Sequence, residues 1–157
     1  MPAPAPVLSQ IHLVSGVFIE CAILNEAPDT YVKLGTQRFQ IYHNVSPSFS
    51  IEEEYILIDL TVHCQPMEED DQPSPVKGRF RLHLTFLVEN LRDYLEAAPE
   101  APQQPPLPSQ QLILTLTGVA YSTARGMIAA KTSDTILQPF VLPLLDVRDL
   151  VRPKTTV

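Results

Sequence analysis

The chain has 157 residues, 45% hydrophobic and 18% charged, which suits one domain with a real core and excludes a disordered chain. Its formal net charge of −7 argues against nucleic-acid binding, because a phosphate backbone demands a basic face. An acidic surface suits a protein that repels its own copies in solution or meets a basic partner.

The start, residues 1–6, reads Met-Pro-Ala-Pro-Ala-Pro. It lacks both the positive n-region and the apolar core of a signal peptide, and a mobile Pro/Ala tail is expected. No apolar stretch approaches the ~18 residues that a bilayer requires, so no membrane insertion is expected. Cys21 and Cys64 both fall in predicted strands, which favours reduced core thiols over a disulfide framework. The expected compartment is the cytoplasm.

Four runs of alternating hydrophobicity follow, and period-2 alternation places apolar residues on one face of a strand. The first runs from about Val7 to Leu24, with Ile11, Leu13, Val17 and Ile19 on one face and a bulge near Gly16. Turn chemistry at 25–29 precedes a second strand at 36–45, where Phe39, Ile41, His43 and Val45 alternate with Gln40, Tyr42 and Asn44. Ser46-Pro47-Ser48 is expected to break it. The third strand, 54–64, sets Ile56, Ile58, Leu60, Val62 and Cys64 against Tyr55, Leu57, Asp59, Thr61 and His63. A loop at 65–78 carries Glu68, Glu69, Asp70 and Asp71 and reads as a solvated tip. The clearest strand follows, with Phe80, Leu82, Leu84, Phe86 and Val88 separated by polar residues.

A short helix is expected over 91–98, then a Pro-rich connector over 99–108. Ser109 is a plausible N-cap for a long helix reaching Ser133 or Asp134, in which Ile113, Leu116, Ala120, Ala124 and Met127 have helical spacing. Gly118 and Gly126 each cost about 1 kcal/mol against alanine in an exposed helix, so a packing reason is expected for them. An extended apolar segment, 136–145, punctuated by Pro139 and Pro143, leads to one helical turn and a frayed end. The expected fold is therefore α+β: a four-stranded antiparallel sheet, a long C-terminal helix and a short second helical segment. One domain spans 7–152, flanked by tails at 1–6 and 153–157.

Chemistry is sparse. No phosphate loop, metal-spaced cysteine pair or nucleophile in a Gly-flanked turn is present. His12, His43, His63 and His83 fall one per strand and read as solvated strand histidines. His63 and His83 share a polar face, but two ligands without a third make a poor zinc site. The pattern suits binding rather than catalysis, with no enzyme activity and no cofactor expected.

The order of elements resembles the export chaperone SecB and its SecB-like relatives. The family's C-terminal motif reads approximately Pro-Tyr-Ala-Arg-Glu-x-Ile, a spacer, then Pro-x-Leu-x-Leu-x-Pro-Val-x-Phe. Ala124, Arg125 and Ile128 match its first part; Pro139, Phe140, Leu142, Pro143, Leu145 and Val147 fall where the second part's prolines and apolar residues belong. Ser9-Gln10-Ile11-His12-Leu13 to Phe18 resembles the opening strand, and Glu53-Glu54-Tyr55 into Val62 the third. The chain departs from the pattern at Ser122, Thr123 and Gly126, and at Ser133-Asp134-Thr135, where the family has an Arg-Gly turn.

The resemblance implies an ATP-independent holdase, a tetramer built as a dimer of dimers, that binds unfolded polypeptides, preproteins for export among them, in apolar grooves. It implies the export ATPase SecA as a further partner, although its acidic docking residues find no match here. On this reading Tyr31, Phe39, Ile41, Tyr42, Phe140 and Leu142 line the client groove, while Leu116, Ala120, Ala124 and Met127 form the oligomer interface. Two other readings remain open: a SecB-like chaperone of a toxin–antitoxin pair, and a small-ligand binding protein or enzyme with a hotdog-like sheet and helix.

Overall fold

The computed structural model describes residues 2–29, 38–98 and 100–151. Four strands, β1 (Ile11–Asn25), β2 (Phe39–Ser50), β3 (Tyr55–Pro66) and β4 (Val76–Val88), form one antiparallel sheet in the order β1-β4-β3-β2. Two hairpins therefore join β2, β3 and β4, while the connection from β1 crosses to the far edge. That leaves β1 and β2 as the two open edges.

The alternation read from the sequence is the packing of the two central strands. In β3 and β4 every second residue, from Ile56 to Cys64 and from Phe80 to Val88, is buried to 2% exposure or less. Each such large side chain contributes about 1.5–3 kcal/mol by leaving water. The layer above them is α1 (Gln110–Thr132), which turns Leu112, Ile113, Leu116, Ala120, Ala124 and Ile128 onto the sheet. Ser109 caps it, accepting from the Leu112 N–H at 3.2 Å. Beyond α1 the chain forms a strap with no regular structure, from which Leu137, Phe140 and Leu142 enter the same core. A short α2 (Val147–Val151) then packs against α1 and β2.

Several elements differ from the sequence reading. Register shifts between Leu13 and Ser15 and between Phe18 and Glu20 turn β1 twice, so Phe18, opposite Leu82, faces the core while Val17 lies opposite His83 on the other face. Ile19, expected beside Ile11 and Leu13, falls within the second shift and is exposed. β2 runs on through Pro47 to Ser50 without a shift, because an edge strand tolerates a missing N–H on its open side. Its expected start at Thr36 lies outside the described residues.

The segment 91–98 is not an α-helix. Leu91–Tyr94 makes a 3-10 turn, entered through Asn90 at a φ of 58°, and Leu95–Glu96 (β5) then pairs with Leu107–Pro108 (β6). The Pro/Ala segment is laid against this ribbon: the Ala3 N–H donates to Glu96 at 3.0 Å, and the Val7 N–H to the Tyr94 hydroxyl at 3.3 Å. Cys64 is a buried thiol as expected, but Cys21 is exposed, because β1 is an edge strand. The helix α1 is also long and apolar enough to cross a membrane by composition alone, with a mean hydropathy of 1.2, against the expectation that no stretch was. Part of its apolar surface, from Leu112 to Ile128, covers the sheet, while Val119, Ala129 and Ala130 are exposed.

Candidate functional site

The residues expected to line a groove separate into two sets. Phe39, Ile41 and Tyr42 lie together at the start of β2, on the open edge of the sheet. Phe39 and Ile41 are half-buried against the core, and Tyr42, on the opposite face, is 48% exposed. Phe140 and Leu142 stand behind them as core side chains, each 1% exposed. The two sets meet where the Phe39 and Phe140 rings pack at 5.1 Å with their planes at 59°. Tyr31 lies outside the described residues.

On the other face Tyr42 leans on His63, ring centroids 5.5 Å apart. Together with Gln40, Gln65, Lys77 and Arg79 they line an open concavity of about 460 Å³. Toward β1 this face carries a row of ion pairs, while Tyr55, Leu57 and Leu87 stand half-buried at its far end. The β4 cations are flanked by acids on both sides: Lys77 with Glu26, just past the end of β1, at 2.8 Å, Arg79 with Glu20 of β1 at 3.0 Å, and Arg81 with Asp59 of β3 at 2.6 Å. His83 approaches the same carboxylate at 3.3 Å. The hydrogen-bonded Arg81 guanidinium, aided by His83, holds the Asp59 carboxyl below its ordinary range against the effect of burial. Exposed pairs of this kind add little stability, but they neutralise one another's charge on the outer face. Among the described residues no group of three His, Cys, Asp or Glu side chains could hold a metal ion.

Uncovered apolar surface lies instead at the edges. Along β1, Leu13, Val14, Val17, Ile19 and Leu24 are each 41–59% exposed. The strap adds Val141 at 54% and Leu144 at 80%.

The residues expected at an oligomer interface face the wrong way for it. Leu116, Ala120 and Ala124 are at most 1% exposed and lie against the sheet of their own chain, with Met127 half-buried beside Gly16. Spacing alone identifies an apolar helix face but not what covers it. The outward face carries Val119, Ser122, Gly126, Ala129 and Ala130. At Gly126 an added Cβ would meet nothing within 4 Å.

Gln40 and Gln65 were not singled out by the sequence, and His63 was weighed only with His83 as a poor zinc site. Their signal was present in the alternation: each is the outward member of a strand whose inward residues are apolar. What the sequence lacked was the strand order that brings β2 beside β3.

A four-stranded antiparallel sheet covered on one face by a long helix and a short one is the SecB-like fold. Among solved structures, the Mycobacterium tuberculosis SecB-like chaperone Rv1957, in complex with a ChAD peptide from the Rv1956 HigA1 antitoxin, is similar at a TM-score of 0.57. The match covers 93% of this chain and 94% of that one, at 11% sequence identity. No family model matches the sequence, and no curated protein does.

Proposed function

We propose that the protein is an ATP-independent chaperone that holds unfolded polypeptides at the β2 edge and the neighbouring strap. The observation that carries this reading is the division of the sheet. One face is sealed by the chain's own helix, and the other carries paired charges across much of its width. Many of the exposed apolar side chains lie along the sheet edges and the strap, with others at Leu8, Leu107 and Val119. Large exposed apolar surface marks an interaction site, and an extended partner gains about 25 cal/mol per Å² of apolar area it covers. The concavity beside β2 is open and edged by exposed tyrosine, which suits a chain segment better than an enclosed small molecule.

A second copy accounts for the rest. The apolar β1 edge and the small, open helix face around Gly126 are surfaces that assembly as a dimer of dimers would cover. Preproteins bound for export, with docking to SecA, form one client class. An antitoxin is the other, and it is favoured by the likeness to a chaperone solved with an antitoxin peptide. Co-purification separates them: recovery of SecA supports the first, recovery of a small toxin–antitoxin pair the second.

The test of the holding activity is light scattering from reduced insulin as its chains aggregate. Suppression at near-stoichiometric protein without nucleotide is expected. Unchanged scattering removes the proposal.

A further inference from the structure

We infer that Tyr94 and Glu96 form a seat for a proline-alternating polypeptide segment, and that residues 2–7 of this chain fill it as an exchangeable arm. The inference is independent of the holding reading above and concerns the β5–β6 ribbon rather than the β2 edge.

Pro2, Pro4 and Pro6 carry no N–H, so residues 2–7 own three main-chain donors, at Ala3, Ala5 and Val7. Two of the three are met, and both by side chains rather than backbone. The Ala3 N–H donates to the Glu96 carboxylate at 3.0 Å, and the Val7 N–H to the Tyr94 hydroxyl at 3.3 Å. That hydroxyl gives its own proton to Gln10 Oε1 at 2.6 Å, which leaves its lone pairs for an incoming N–H. Along the arm only Ala3 and Pro6 are half-buried, and the other four residues are exposed. A spacing of three is one turn of a polyproline II helix, the conformation that alternating prolines favour. An extended proline segment laid over a buried tyrosine is how such ligands dock.

These contacts define what the seat reads. It takes one N–H, a second N–H four residues on, and a shallow apolar contact one turn after the first. Prolines fix φ beforehand, so ordering such a segment costs little chain entropy and two hydrogen bonds suffice to hold it. They hold it reversibly, because both bonds are only partly buried and the arm reaches β1 through the short turn Leu8–Gln10. A segment of the same pattern in another polypeptide presents the same two donors. It competes with the arm, whose short tether gives an effective concentration on the order of millimolar.

The test uses the full-length protein and an acetylated peptide, Pro-Ala-Pro-Ala-Pro-Val-Lys with fluorescein on the lysine, read by anisotropy. Ala3→Pro combined with Val7→Pro keeps the arm extended but deletes both donors, which frees the seat. This double variant is expected to bind the peptide at least about tenfold more tightly than the unaltered protein does. Ala5→Pro removes the donor that neither side chain takes, and is expected to change the affinity by less than about twofold. Six prolines before the same lysine offer no pair of donors four residues apart, and this peptide is expected to bind the double variant at least about tenfold more weakly. Adding Tyr94→Phe to the double variant is expected to weaken the alternating peptide at least about fivefold while the circular dichroism spectrum stays unchanged. Equal binding of the two peptides by the double variant overturns the inference. So does equal affinity of the double variant and the unaltered protein, or binding of neither peptide by the double variant.

Discussion

The rings of Phe39 and Phe140, 5.1 Å apart, are where the open edge of the sheet touches the strap that follows the long helix. One ring is fully buried and the other half-exposed, so the pair links the core to the surface proposed to hold clients.

Truncating the two rings separates stability from binding. Phe140→Ala deletes a fully buried aromatic and is expected to cost about 3–5 kcal/mol. Phe39→Ala removes a half-buried one and is expected to cost on the order of 1–2 kcal/mol. Urea midpoints measure both. Phe39→Ala is further expected to weaken suppression of insulin aggregation while the protein stays folded. Equal costs for the two variants would place Phe39 in the core rather than at an edge.

The strap has a second anchor. The Tyr121 hydroxyl donates to the Pro143 carbonyl at 2.8 Å, and burial pushes its pKa up from 10.0 to about 12. Burial likewise raises the Cys64 thiol from 9.0 to about 12. Both folded values lie above the unfolded ones, so the folded state favours the protonated forms. Their stabilisation is complete below about pH 9 and is lost as pH climbs through about 12. Urea midpoints are therefore expected to fall across that window. The fall should be shallower in Tyr121→Phe, which starts about 1 kcal/mol less stable for want of its hydrogen bond. A midpoint flat to pH 12 would contradict this account of the two groups.

The central strands were legible because β3 and β4 are buried on one face only, and one-sided burial writes itself as alternation. The long helix was legible through its spacing and its Ser109 cap. The edges were not. β1 is apolar on both faces, so its pattern gave no warning of the shifts near Leu13 and Phe18 that invert Val17. Pro47 looked like a strand breaker because the sequence does not say which strands are edges. Of the candidate site, Phe39, Ile41 and Tyr42 were visible as a set. The full burial of Phe140 and Leu142 depends on how the strap closes over the sheet, which only long-range packing decides.

Two glycines are expected to respond in opposite ways to the same added methyl group. At Gly78 a Cβ would lie 2.7 Å from Cys64 Sγ, 2.7 Å from a Leu137 methyl and 2.9 Å from the Phe80 ring. Gly78→Ala is thus expected to cost about 1–3 kcal/mol through overpacking. Gly126 faces open space, so Gly126→Ala is expected to stabilise the isolated chain by roughly 0.5–1 kcal/mol through helix propensity. The bulkier Gly126→Leu is expected to lower the assembled mass in light scattering if helices of two copies meet there. An unchanged mass would take that helix face out of the assembly.

The β1 edge gives the sharpest test of assembly. Val14 and Val17 are 59% and 46% exposed in the single chain, with no polar partner to lose. Lysine at an exposed position of this kind ordinarily changes stability by no more than about 0.5 kcal/mol. Should a second copy cover the strand, the same change forces two unpaired charges into an apolar contact, which is far more costly. Val14→Lys combined with Val17→Lys is therefore expected to leave the circular dichroism spectrum intact while the assembled mass falls by at least about half. Intact mass with intact folding would mean that the strand stays in water, and the copies would have to meet elsewhere.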